Sequence, residues 1–213
     1  MKEAFEFLKI GGPLMIPIAI GSVAALAIFI ERIWALQRTK VVPPGLVKKV
    51  LEVVEKKEFS KARDLCLASN SPMGRVLLSG IDARHCARGE IKEHFEETGR
   101  QEVARMNRFI EALGTTASIE PLLGLLGTVT GMITVFQQVV TTSSSGAVDP
   151  AQLASGIWQA LITTAAGLSV AIPAFLGYRY LQGRSDDRAN ELEEGSLFLL
   201  SALVPKSCAE KTE

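Results

Sequence analysis

Charge is missing from three long stretches of this chain, and that absence limits the fold more than any single motif does. Gly11 to Ile30 contains no charged residue, the segment between Glu111 and Asp149 contains only Glu120, and Pro150 to Tyr178 contains none. About 20 apolar residues cross the hydrocarbon core of a bilayer as a helix. Lipid admits only helices or closed barrels, and these runs lack the two-residue alternation of barrel strands. The expected fold is an all-α membrane protein with three transmembrane helices and long helical cytoplasmic extensions.

The first run is N-terminal, yet it does not read as a cleaved secretory signal. Its flank MKEAFEFLK is charge-balanced rather than basic, and the run ends in Glu31-Arg32 with no small-residue cleavage site. A retained helix is expected, entered near Pro13 and Pro17. Orientation follows from Lys and Arg near the span ends. Arg32, Arg38, Lys40, Lys48 and Lys49 follow the first span, and Arg179, Arg184 and Arg188 follow the third, whereas the loop TTSSSGAVDPAQ has neither type. The N-terminus and that loop are expected outside. This gives an outer N-terminus over 1–10, spans over 11–33, 113–140 and 153–181, a cytoplasmic helical region over 34–112, an outer loop over 141–152, and a cytoplasmic tail over 182–213. Cys66, Cys86 and Cys208 then all lie on the reducing side, where thiols stay free.

In the charged middle region, Pro43-Pro44-Gly45 breaks the chain. Leu46 to Glu58 reads as an amphipathic helix with Val47, Val50, Leu51 and Val54 on one face. Phe59 to Ala68 and Met73 to Arg88 read as two more helices, separated at Asn70-Ser71-Pro72. From Glu90, apolar residues recur at helical spacing into the second span, which predicts one long helix. The tail from Asp186 to Leu203 predicts the same behind the third span.

Chemistry-bearing constellations are few. Equal counts of basic and acidic residues, 23 each, leave no basic footprint for nucleic acid. His85, Cys86 and His94 match no standard zinc spacing, so no metal site is assigned and the three are read as surface and half-buried helix residues. No phosphate loop, triad or carboxylate pair is present, and no enzyme is expected.

The second and third runs carry the signal. PLLGLLGTVTGMITVF places Gly124, Gly127 and Gly131 at three- and four-residue intervals, and the third run matches it with Gly156, Ala160, Thr164, Gly167 and Ala171. Small residues so spaced let two membrane helices approach closely. The first run has no such stripe and is expected to face lipid. Polar groups inside a span mark interiors or pathways. At about 1.5 Å per residue from the outer loop, Thr128 lies roughly 20 Å down and Thr164 roughly 18 Å, with Gln159 at about 10 Å and Glu120 at about 30 Å. These four form a polar series along the hairpin. Thr130, Thr134 and Thr163 fit packing and function equally well. Hydroxyls can relay a proton but cannot hold one near neutral pH, so the series lacks a carrier.

GLLGTVTGM followed by ALITTAAGLSVAIPA resembles the paired signature of the proton-channel family that contains ExbB, TolQ and MotA, and three spans place the resemblance on the ExbB/TolQ side. The resemblance implies a bacterial inner-membrane homo-oligomer, a pentamer, around ExbD/TolR-like single-span partners. Each partner contributes an intramembrane aspartate, the missing carrier. It further implies that Thr128 and Thr164 line the proton path, that protons are the transported ion with no other cofactor, and that a TonB/TolA-like protein delivers the work, as in TonB-dependent import. Gln159 stands where glutamate is common in such proteins, and an amide cannot ionise. Glu120 stands where small apolar residues are common; snorkelling to the cytoplasmic interface is the favoured reading over a role in proton exit. The alternatives are a stator-like motor subunit for surface motility and a partner-independent transporter.

Overall fold

The computed structural model describes residues 12–142 and 150–204, and these are helical wherever they are regular. The N-terminal ten residues, most of the 141–152 loop and Cys208 fall outside the described residues. The helices are α1 (Met15–Ala35), α2 (Arg38–Val41), α3 (Leu46–Glu55), α4 (Phe59–Ser69), α5 (Pro72–Asp82), α6 (Arg88–Thr142) and α7 (Pro150–Leu203). Three of them, α1, α6 and α7, are long and apolar enough to cross a membrane.

The chain divides into two compact units. One comprises the residues up to Glu31 together with Phe109–Tyr180, and the other comprises Arg32–Arg108 with the residues from Leu181 onward.

The first unit is a three-helix membrane bundle. α6 and α7 run unbroken through Pro121 and Pro173, as membrane helices can when neighbouring helices take over the freed backbone groups. Large apolar side chains remain exposed on its outside, among them Ile20, Val23, Leu126, Val129, Ile172 and Phe175. The expectation for α1 needs correction. Met15, Ile18 and Ala25 are buried at helical spacing, Gly21 packs against Glu120, and Phe29 covers Gly177. One face of α1 therefore seats on the hairpin while the opposite face stays open.

The second unit has a conventional apolar core. α3 buries Leu46, Val50 and Val54, a stripe turned slightly from the expected one, with Val47 and Leu51 at its margin. α5 starts where the sequence supplies both signals. Asn70 takes the left-handed conformation that ends α4, and the Ser71 hydroxyl accepts from Gly74 N–H at 3.1 Å with Pro72 in the first turn. The helix expected to reach Arg88 stops at Asp82. Ile81 and Leu77 are buried, and α6 restarts at Arg88, with Ala87 N–H donating to Glu90 Oε2 at 3.3 Å. That carboxylate supplies half of a capping box. Phe95 of α6 presses on Gly80, where a Cβ would come within 2.8 Å of its ring carbon Cε2. Glu102, 3% exposed, accepts two hydrogen bonds from Arg75 at 2.8 and 2.6 Å and one from Arg105 at 2.8 Å.

Candidate functional site

The glycine pattern of the hairpin becomes a seam of backbone contact. A Cβ added at Gly124 would sit 3.0 Å from Thr164 Cα, one at Gly127 would sit 2.7 Å from Thr163 Cβ, and one at Gly131 would sit 2.9 Å from Ala160 Cβ. From the other side, Gly156 lies against Val135, and a Cβ at Gly167 would come within 2.6 Å of the Glu120 carbonyl oxygen. The structure thus brings Gly124, Gly127, Gly131, Gly156, Ala160 and Gly167 onto one line. Where backbones lie this close no side chain can intervene, which is the physical need that small residues meet.

The hydroxyls are placed by this seam. Thr164 Oγ1 donates across it to the Gly124 carbonyl at 2.9 Å. Thr128 Oγ1 donates within its own helix to Leu125 O at 2.7 Å. Thr163, 1% exposed, donates to Gln159 O at 3.0 Å. The sequence depths put Thr128 and Thr164 level. In the structure Thr164 is level with Gly124, so Thr128 lies one turn, about 6 Å, nearer the 141–152 connection. Each hydroxyl spends its proton on a carbonyl and keeps oxygen lone pairs able to accept from a water or an acid.

On the loop side of this level the hairpin and the start of the first span border a half-open cavity of about 420 Å³. Its polar lining is Thr130, Thr134, Gln138, Ser155, Gln159 and Thr163. Gln159 lies across it from Gly12, with Nε2 3.1 Å from the Cβ position there. None of the described lining residues titrates. Thr128 and Thr164 do not line this cavity, so the structure groups Gln159 with Thr163, Thr134 and Thr130 rather than with the two threonines singled out in the sequence. Gln138 and Ser155 were not recognised there. Their only signal is a position four residues after Thr134 for Gln138 and four before Gln159 for Ser155, on the helical face the cavity shares.

Glu120 departs furthest from expectation. It is 2% exposed, and its Oε2 is buried without a hydrogen-bond partner among the described residues. Its carboxyl does not snorkel. It lies against Gly21, with Cδ 2.9 Å from the Cβ position of that glycine, and the methyl of Thr116 flanks the contact. Gly21 is at the centre of the charge-free run Gly11–Ile30 and ten residues, about 15 Å, from Glu31. Counting depth from the outer loop put Glu120 at the cytoplasmic edge. Measured against the first span, it lies at mid-run, because the first span starts level with Gln159 rather than with the loop.

Comparison with known proteins agrees with this architecture. Residues 68–194 match the model of the MotA/TolQ/ExbB proton channel family. The biopolymer transport protein ExbB-like 1 of Synechocystis sp. is 40% identical over 177 residues, covering 83% of this chain and 69% of that protein. Biopolymer transport protein exbB1 of Vibrio cholerae is 32% identical, covering 83% and 78%. The Tol-Pal system protein TolQ of Pseudomonas aeruginosa is 36% identical over 100 residues, covering 45% and 42%. With three membrane-length helices, a seam of small residues between the last two, and relatives named ExbB and TolQ, the chain belongs to the MotA/TolQ/ExbB proton channel family, on its ExbB/TolQ side.

Proposed function

We propose that this chain is the channel subunit of an inner-membrane, proton-driven energy transducer, working with an ExbD/TolR-like single-span partner. The observation that carries the reading is the membrane hairpin. It joins hydroxyls to a polar cavity, yet the described cavity lining holds no group able to carry a proton. Such a half-path has a use when a second chain supplies the acid. The proposed path runs from Gln159 at the outer cavity, past Thr128 and Thr164, with Glu120 toward the inner side.

In this reading several copies, five by the family resemblance, surround the partner's helix. The apolar side chains left open on α6 and α7 would then meet neighbouring copies, the partner or lipid. The N-terminus and the hairpin loop face the periplasm, and the second unit, with its ion pairs and charged surface, lies in the cytoplasm. Proton passage past the partner's aspartate drives movement of one set of subunits against the other. The relatives' names, biopolymer transport and Tol-Pal, support work at the cell envelope, such as TonB-dependent import through a TonB/TolA-like protein, over surface motility.

Valine keeps the shape of threonine and removes the hydroxyl. Thr128→Val and Thr164→Val are expected to insert, assemble and bind the partner, yet to abolish the energised process, while Gln159→Leu and Thr134→Val act more mildly. Full activity in both threonine variants, with loss in Gln159→Leu, overturns the proposed path.

A further inference from the structure

Glu120 is the one acidic residue between Glu111 and Asp149, and its position behind the hairpin calls for a reason. Its carboxyl is turned to α1 and lies in the space that the missing side chain of Gly21 leaves. Any larger residue at position 21 would overlap Oε1. No ion pair or hydrogen bond of this carboxyl occurs among the described residues, and Oε2 is sealed from solvent. The nearest charged residues in sequence on the three helices that meet here are Glu111 on α6, Glu31 on α1 and Arg179 on α7, each nine or more positions away from Glu120, Gly21 or Gly167. A buried carboxylate without a counter-charge is strongly unfavourable, whereas the neutral acid carries an O–H to donate. An acceptor is close in the chain: Pro121 has no N–H to return to the Ala117 carbonyl one turn earlier.

We propose that Glu120, in its niche against Gly21, is a proton-binding site belonging to this chain itself, separate from the acid supplied by a partner. The niche holds the carboxyl in its protonated form while α1 is seated, and the proton leaves only when α1 moves off α6 and water reaches the carboxylate. Protonation at position 120 and the seating of the first span are then one equilibrium. The inference deepens the function proposed above by naming the ligand and the moving element at its inner residue. It rests on the membrane reading and not on the identity of any partner.

The test is chemical and needs no flux. The full chain in lipid nanodiscs is treated with dicyclohexylcarbodiimide, which adds to protonated carboxyl groups shielded from water, and adducts are mapped by mass spectrometry across pH. Labelling at Glu120 is expected at neutral pH, and above the titration point it should fall about tenfold per pH unit as the protonated fraction falls. Gly21→Ala, which ejects the carboxyl from its niche, should lose most of the neutral-pH adduct. Infrared spectra guard against misfolding of that variant: the wild type should show a protonated-carboxyl stretch at neutral pH that Glu120→Gln lacks. Absence of both the adduct and the Glu120-dependent stretch at neutral pH overturns the site. So does labelling that is unchanged in a folded Gly21→Ala protein. Protection by sodium at constant pH overturns the proton assignment in favour of a cation site. A titrating Glu120 combined with active threonine variants would retain this site and refute the hydroxyl path; the reverse pair of results would do the opposite.

Discussion

Thr164 on α7 hydrogen-bonds the backbone carbonyl of Gly124 on α6 at 2.9 Å, forty residues away in sequence. The bond exists because Gly124 has no side chain to hold the helices apart. Interhelical hydrogen bonds in membranes contribute about 0.6 kcal/mol on average, so Thr164→Val should lower the melting temperature of the detergent-solubilised protein only slightly. A large loss of stability would assign this hydroxyl to structure instead of to the path.

The glycine seam makes a sharper prediction about packing. At Gly167 a Cβ meets the Glu120 carbonyl and the Gly124 backbone, atoms that cannot rotate away, whereas at Gly183 it meets nothing within 4 Å. Gly167→Ala should therefore destabilise by about 1–3 kcal/mol through overpacking. Gly183→Ala, exposed on the same helix, should stabilise by about 0.5–1 kcal/mol. Thermal unfolding of the two variants side by side checks the contrast.

Cys66 and Cys86 should differ in reactivity. Burial, with a smaller contribution from the charge of Asp82, pushes the Cys66 thiol up to about 11, while Cys86 is exposed. The thiolate is the nucleophile, and a raised value leaves roughly a thousandth of Cys66 ionised at pH 8. Iodoacetamide at that pH should modify Cys86 and spare Cys66 until the protein is denatured, as peptide mapping would reveal.

In the second unit, the carboxylate of Glu102 is almost fully enclosed and depends on two arginines. Arg75 makes two of the three hydrogen bonds, so Arg75→Ala should destabilise by about 1–3 kcal/mol, the range for stranding a buried acceptor. Arg105→Ala should cost less, because its side chain is 67% exposed and makes one bond. Equal melting temperatures for the two variants would contradict this ranking.

Much of this architecture was legible because period and composition carry it. The unbroken α6 follows from apolar residues repeating from Ile91 to Leu113, and the seam follows from Gly124, Gly127 and Gly131 facing Ala160 and Gly167. The break at Asn70-Ser71-Pro72 was written in residues suited to helix ends. What stayed hidden depended on how separate elements meet. Gly21 is an ordinary residue of an apolar run until Glu120 is seen to occupy its space. The grouping of Gln159 with Thr130, Thr134 and Thr163 needs the helical register across two chain segments, and the two threonines chosen by depth turned out to be a turn apart for the same reason. The early end at Asp82 was missed because Ala87 is a weak capping residue, and only the return of Glu90 to its N–H marks the new start.

Whether a partner's acid carries the proton past Thr128 and Thr164 is decided by proton flux in liposomes under an imposed pH gradient, measured for the chain alone, for the chain with its ExbD/TolR-like partner, and for the partnered Thr128→Val and Thr164→Val variants. Little flux is expected from the chain alone, with a marked rise when the partner is added and loss of that rise in both variants. Equal flux with and without the partner would contradict it, because the carrier would then lie in this chain.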